Sequence, residues 1–252
     1  MYFPFTSQPA TFLERPNRYR IIAKLHDSEK LIHAHCPNPG RLGELLIPGA
    51  TVYVSPAAHQ ERKTAYDLRF VEHPEDGQLV SLDTRLPNQL FVEGFEQGVF
   101  APLVQYHDYA QEVSLPLSED KATDSRHTVR SRIDFRLANE MGLHCWVEVK
   151  SASLVINGSA RFPDAVTARG KRHVQELTAL CAQGERTAIV FIIQRADAYE
   201  LRPQWETDPE FGDALVVAHA QGVELYAYTC TLTLQEARLA QRIPIKLQQS
   251  HG

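Results

Sequence analysis

Glu148 and Lys150 stand two residues apart inside the apolar run "CWVEVKSAS" at 145–153. Side chains two apart on a strand share a face, so an acid and a base would project together from an otherwise apolar element. Charged residues are rarely fully buried unless paired, which leaves either a salt bridge on a solvated face or chemistry. Glu-x-Lys triplets also occur at Glu61–Lys63 and Glu119–Lys121, but both lie in polar stretches. A second acid joins the third triplet if "VRSRIDFRLA" (129–138) and "LHCWVEVKS" (143–151) pair as a hairpin through "NEMG". Ile133, Phe135 and Leu137 then form an apolar face, Arg132, Asp134 and Arg136 a polar one, and Asp134 approaches Glu148. Two adjacent carboxylates repel and are costly to desolvate; a divalent cation resolves that repulsion. Mg²⁺ (or Mn²⁺) takes hard oxygen ligands and often only one or two carboxylates. Asp134, Glu148 and the carbonyl of Val149 would suit it. Lys150 beside the metal could orient an attacking water or stabilise charge on a phosphate oxygen. These are the parts of a phosphodiester-cleaving site. The competing arrangement is a cross-strand ionic network in which Arg132 and Arg136 pair the acids.

The elements that must hold these residues read as follows. From 18 to 82, "RYRIIAKL", "KLIHAHC", "TVYVS", "AYDLRFVE" and "QLVSLD" are short β-rich runs broken by Pro, Gly, Asn and Asp, the pattern of a small, OB-like β-barrel. The pattern changes near residue 84, which predicts a barrel domain over 1–83 and an α/β domain over 84–252. The second domain opens with a helix in which Leu86, Leu90, Phe91, Phe95 and Val99 recur at helical intervals, interrupted by Gly94 and Gly98. Strands at 109–115, 129–138 and 143–151 follow. "FPDAVTARGKRHVQELTALCAQG" then reads as a helix with Asp164 as N-cap and Gly184 as its stop. "RTAIVFIIQ" has the continuous apolar character of a central strand. A helix at about 209–221 and the strand "VELYAYTC" complete a mixed sheet.

In the helix after the third strand, Arg169 and His173 are four apart and share a face. Arg169 could grip a phosphate, and His173 could touch the leaving group or bond a carboxylate. Val166, Gly170, Val174, Leu177 and Cys181 form a separate apolar face. "HAHC" presents His33 and His35 on one strand face, with no further ligand evident. "NPGRLGELLIPG" reads as a tight turn and short helix, where Arg41 is expected to meet a phosphate and Asn38 and Gly40 serve the turn.

The chain has 252 residues and a formal net charge of −5, which argues mildly against a general nucleic-acid glue. Distribution matters more than the sum. Arg15, Arg18, Arg20 and Lys24 cluster near the start; Arg126, Arg130, Arg132 and Arg136 crowd one segment; Arg161, Arg169, Lys171 and Arg172 crowd another. From these, Arg18, Arg20, Arg41, Arg132, Arg169, Lys171 and Arg172 are the expected DNA contacts, and the expected binding is largely non-specific. No apolar run reaches the roughly 20 residues that span a bilayer, and the start lacks the pattern of a secretory signal. The cysteines Cys36, Cys145, Cys181 and Cys230 are far apart without a C-x-x-C pair. A reducing cytoplasm, with no membrane and no structural zinc, is the expectation. Homo-oligomerisation is left open.

"SRIDF" followed by "EVKS" resembles the PD-(D/E)xK nuclease superfamily, with the usual preceding proline absent. The order helix, three strands, helix, strand agrees with that fold. "RYRIIAKL", "HCPNPGRLGELLIPG", "RKTAYDL", "SRIDFRL", "WVEVKSASL", "ARFPDAVTARGKRHVQEL" and "GVELYAY" resemble, in order, segments of the sugar fermentation stimulation protein A family of bacteria and archaea. The resemblance covers nearly the whole chain and implies an OB-like domain joined to a nuclease-fold domain. It also implies DNA binding with a role in sugar-utilisation gene expression. By it, Asp134, Glu148 and Lys150 take the metal and catalytic roles, Glu93 on the preceding helix matches an acidic position that often joins the metal cluster, and Glu112 is a second such acid. Three functions stay open on this reading: a Mg²⁺-dependent DNA nuclease, a DNA-binding regulator that does not cut, and a small-molecule-binding metabolic protein, for which no glycine-rich cofactor loop or sugar-binding aromatic run is present.

Overall fold

The computed structural model describes residues 1–57, 63–115 and 131–249. Arg126, Arg130, Glu61, Glu119 and Lys121 lie outside them. In the N-terminal half, β1 (Gln8–Asn17), β2 (Arg20–Leu25), β3 (Leu31–His35), β4 (Thr51–Pro56) and β5 (Tyr66–Glu72) run in the order β3-β2-β1-β4-β5. A parallel pairing of β3 with β5 at Ala34↔Tyr66 closes the five into a barrel, and β6 (Leu79–Ser81) adds to β5. Phe12, Ile21, Ile32, Leu42, Leu45, Val52, Val54, Leu68 and Val71 fill its interior. The barrel therefore begins one strand earlier than the sequence predicts, in "QPATFLERPN". Pro9 and Pro16 argue against a strand there, yet Pro9 sits near its start and Pro16 falls where the register with β2 shifts, between Glu14 and Asn17. Both are places where a missing N–H costs no ladder bond. The stretch after Arg41 forms turns rather than a short helix.

The C-terminal domain is a six-stranded mixed sheet, order β15-β14-β12-β9-β8-β7, built from β7 (Asp108–Ser114), β8 (Arg132–Ala138), β9 (His144–Ala152), β12 (Arg186–Ile193), β14 (Glu224–Leu232) and β15 (Ala237–Ile243). β9, β12 and β14 are parallel; the outer strands are antiparallel. α1 (Leu86–Glu96) covers one face through Leu86, Leu90 and Phe91, against Phe135, Leu137, Cys145, Val147, Val149 and Val190. α2 (Ala168–Ala182) and α3 (Pro209–Ala220) cover the other, where Val174, Leu177, Phe211 and Leu215 meet Trp146, Ile189, Phe191 and Ile193. With helices on both faces, β12 is buried along nearly its whole length, as its unbroken apolar run requires. A small sheet, order β10-β11-β13, is built from β10 (Leu154–Ile156) and β11 (Ser159–Phe162), which lie between β9 and α2 in sequence, and from β13 (Glu200–Pro203), which follows β12; it is not legible in the sequence.

The first residues pack on the C-terminal domain, not on the barrel alone. The Met1 amine meets Glu93 at 2.8 Å and the Phe3 N–H donates to the Gln235 carbonyl. A second link joins the domains where Arg195, only 3% exposed, pairs with both Asp197 and Asp76 of the β5–β6 turn.

Gly94 is explained by close approach. A Cβ there would stand 2.4 Å from Leu239 Cδ1 and 2.8 Å from the Phe100 ring. In an exposed helix, Gly→Ala gains roughly 1 kcal/mol from propensity. Here overpacking of about 1–3 kcal/mol opposes it. Gly94→Ala should therefore lower the melting temperature. A variant that melts at or above the parent would show that α1 can move off β15 freely.

Candidate active site and metal centre

β9 alternates as the sequence predicts, but neither of its faces is solvated. Cys145, Val147 and Val149 point into the α1 layer and Trp146 into the α2 layer. Glu148 shares the second side and is 3% exposed. A plain surface salt bridge is thereby excluded. Glu148 Oε1 accepts from Lys150 Nζ at 2.5 Å and pairs with His173 Nδ1 at 2.5 Å; Oε2 accepts a long bond, 3.4 Å, from the Asp134 N–H. Burial pulls the Glu148 carboxyl up, but the bonds from His173 and Lys150 outweigh it and hold the group below the usual carboxylate range. An ionised carboxylate can only accept, so His173 carries its proton on Nδ1 and leaves Nε2 as an acceptor. Arg169 Nε–H points at that nitrogen from 3.5 Å.

Asp134 stands beside this pair. Its Oδ2 accepts from the Val149 N–H at 2.8 Å, in place of a backbone partner, and the β8–β9 ladder ends one residue earlier, at Phe135↔Val147. The two strands splay there and open a notch into which the acid projects. Ile133 consequently joins the α2 layer with Trp146, not the α1 layer of Phe135 and Leu137. Burial first, and the nearby Glu148 second, push the Asp134 carboxyl up to about 6. Asn88 of α1 donates to its Oδ1 at 3.3 Å. The ionic network with Arg132 and Arg136 does not form among the described residues: Arg132 is exposed, and the Arg136 guanidinium lies over the Trp146 ring at 5.8 Å.

The two further acids do not join the pair. Glu93 is engaged by the Met1 amine. Glu112 lies opposite Asp134 on β7, but the β7–β8 ladder skips it, its φ is +51°, and it is exposed. Among the described residues no cluster of three acidic, His or Cys side chains stands ready for a metal. The oxygen set is thus two carboxylates with the backbone at Val149, which is within what Mg²⁺ accepts when it keeps several waters.

Residues 13–82 match the family model described as the SfsA N-terminal OB domain, and 85–236 match the sugar fermentation stimulation protein RE domain. The chain belongs to the sugar fermentation stimulation protein family. A homologue from Moorella thermoacetica is 45% identical, with 94% of this chain and 96% of its own length covered; one from Methanobrevibacter smithii is 38% identical, with 90% and 92% covered. The solved structure of Pyrococcus furiosus SfsA in complex with Ca²⁺ superposes with a TM-score of 0.82 at 29% identity, covering 98% of both chains.

In this member of the family the predicted basic residues differ in exposure and in pairing. Arg18, Arg20, Arg41, Arg132, Arg169 and Arg172 are exposed. Lys171 is held by Glu210 at 2.5 Å, and Arg172 lies 3.9 Å from Glu176, so these two are partly neutralised. Arg15 is structural: it donates to the carbonyls of Arg18, Asn38, Gly40 and Arg41 and so binds the β1–β2 turn to the loop after β3. α2 is capped by Thr167, whose hydroxyl accepts from the Gly170 N–H, not by Asp164. The Thr167 N–H in turn donates to Asp208, the N-cap of α3, so one acid anchors the starts of both helices. Asp164 instead approaches Gly40 of the barrel loop, where any Cβ would stand 2.8 Å from its Oδ2. That contact brings Arg18 and Arg41 to the start of the helix that carries Arg169 and His173. Val166, expected on the apolar face, is 75% exposed, while Gly170, Val174 and Leu177 are buried. His33 is exposed and His35 half-buried on β3, as a half-solvated strand requires. All four cysteines are free thiols, and among the described residues no helix is long and apolar enough to cross a membrane. Nothing in the sequence marks Asn88, and only its packing against β8 reveals it.

Proposed function

We propose that this chain is a divalent-metal-dependent DNA nuclease acting through Asp134, Glu148 and Lys150. The observation that carries the reading is a buried glutamate with a half-buried aspartate beside it and a lysine on it, opened by the splayed strands, rather than a set of neutralising arginines. Asp134, Glu148 and the Val149 carbonyl would hold the cation; once bound, it would polarise a phosphate oxygen and acidify a water. Lys150 Nζ, fixed by Glu148, orients that water's approach and faces the developing negative charge. His173 positions Glu148 from behind and acts through it, while Arg169 at the mouth holds the phosphate. That a relative was solved with Ca²⁺ supports a cation in this family. The test is incubation of the protein with single- and double-stranded DNA in Mg²⁺, Mn²⁺ or EDTA. Cleavage only with metal is expected. DNA that is bound but left intact in both metals would remove the nuclease reading and leave a DNA-binding regulator.

Binding should be strongly salt-dependent and largely indifferent to sequence, because exposed arginines would meet phosphates, which carry no sequence information. If Arg18, Arg41, Arg132 and Arg169 each neutralise a phosphate, log affinity should fall with log salt at a slope of about −3 to −4. Fluorescence anisotropy across a salt series measures this. A flat response, or affinity confined to one operator, would contradict it.

A further inference from the structure

A groove of about 500 Å³ has walls from both domains: Asn17, Arg18 and Arg41 of the barrel, and Ala165 and Val166 just before α2. Next to Arg18 in the β1–β2 turn is Tyr19, 57% exposed and followed by Arg20. Large apolar rings gain by being covered, so an aromatic left open between two arginines calls for an account. Its backbone is held firmly. The Tyr19 N–H donates to Asn17 Oδ1 at 3.0 Å, its carbonyl accepts from the Cys36 N–H at 2.9 Å, and Arg15 clamps the adjacent Arg18 carbonyl. The turn is rigid while the ring is free, the condition under which an aromatic binds a flat partner at small entropic cost. Val166, in the wall of the groove, offers a second exposed apolar surface at 75%. Among the described residues neither Arg18 nor Arg41 has an acid within ion-pair distance; Arg41 senses Asp164 only at longer range.

From this juxtaposition we infer that the groove receives an unpaired DNA strand, with Tyr19 stacking on a base and Arg18 and Arg41 on the flanking phosphates. This rests on the DNA-nuclease reading above and names the form of its substrate. A duplex keeps its bases stacked on one another and presents only phosphates to such a rim, whereas a single strand offers a π-face to every aromatic it meets. The groove's volume falls among those of small-molecule pockets, about 300–1,000 Å³, fit for a nucleotide or two.

The test compares the parent protein with Tyr19→Ala and Tyr19→Phe, using a fluorescein-labelled oligonucleotide free and annealed to its complement, in EDTA at one salt concentration. Tyr19→Ala should weaken single-strand binding by about 5-fold to 100-fold, the worth of one base–aromatic stack. Tyr19→Phe should retain parental affinity, and duplex binding should be unchanged in both. The ring is exposed, so melting temperatures should match and serve as the folding control. Unchanged single-strand affinity in Tyr19→Ala overturns the inference while leaving DNA binding intact. An equal loss on both forms of DNA also overturns it, because a phosphate effect would then suffice. Failure of the parent to bind either form would remove the DNA reading itself.

Discussion

Lys150→Ala should abolish cleavage while leaving DNA affinity close to parental. Lys150 lies on β9 with its side chain 11% exposed and its Nζ 2.5 Å from Glu148 Oε1. A cation placed there is too deep to serve as a phosphate contact in the ground-state complex; the exposed arginines of the rim supply those. Its value lies in the transition state, where a preorganised donor in a dry site is worth far more than in water. Loss of one such donor typically lowers turnover by about 10²–10³-fold, which in a slow nuclease is loss of detectable product. Glu148 is not stranded by the change, because His173 Nδ1 and the Asp134 N–H remain bonded to it. The variant should accordingly fold, and melting and anisotropy measurements check that it does. Cleavage equal to the parent's would take Lys150 out of the mechanism. A parallel loss of binding would move it to the rim.

Asp134→Asn separates the metal site from a structural role without any substrate. Without metal, Asp134 titrates near 6 in the folded chain, against 3.8 for the free group, mainly through burial and then through Glu148. The sign follows from linkage. A carboxyl raised on folding opposes the folded state at neutral pH, where it is ionised, and this cost fades as pH falls through 6 toward 4. Glu148, lowered on folding, behaves oppositely: its contribution is present above the ordinary glutamate value and is lost as pH falls below it. The parent in EDTA should therefore gain stability between pH 7.5 and about 5, then lose it. A rise from 3.8 to about 6 corresponds to roughly 3 kcal/mol; because Asp134 is only partly buried, about 2 kcal/mol is the expectation after solvent screening. Asparagine keeps the shape and removes the charge, so the variant in EDTA at neutral pH should melt about 4–8 °C higher. It should lack the stability gain on acidification. Added Mg²⁺ should stabilise the parent and do so less in the variant, since a ligand has been lost. A variant less stable than the parent in EDTA would defeat the metal-site reading.

Much of this arrangement is determined by the sequence alone, because it depends on periodicity. Alternation along β9 puts Lys150 on the same side as Glu148, since successive Cβ atoms of a strand point to opposite faces, and the β8–β9 hairpin brings Asp134 near them; the break in alternation at Ile133 and the notch it opens are decided by the tertiary structure. The apolar spacing of Leu86, Leu90 and Phe91 makes α1, and the unbroken run of β12 makes a central strand, for the same local reason. What only the tertiary structure decides are pairings between residues remote in the chain. Glu93 has the right chemistry for a metal ligand, but the Met1 amine, 92 positions away, takes it. Asn88 reaches Asp134 across 46 positions, and Arg15 holds carbonyls of the loop after β3. β1 becomes a barrel strand despite its prolines because β4 and β2 supply partners on either side where N–H groups remain. Thr167 displaces Asp164 as the cap of α2 because Asp208 of α3 holds its N–H and Asp164 turns toward Gly40. In each case the deciding term is which partner burial brings within about 3 Å, and hydrogen-bond strength falls away so steeply with distance and angle that no spacing along the chain encodes it.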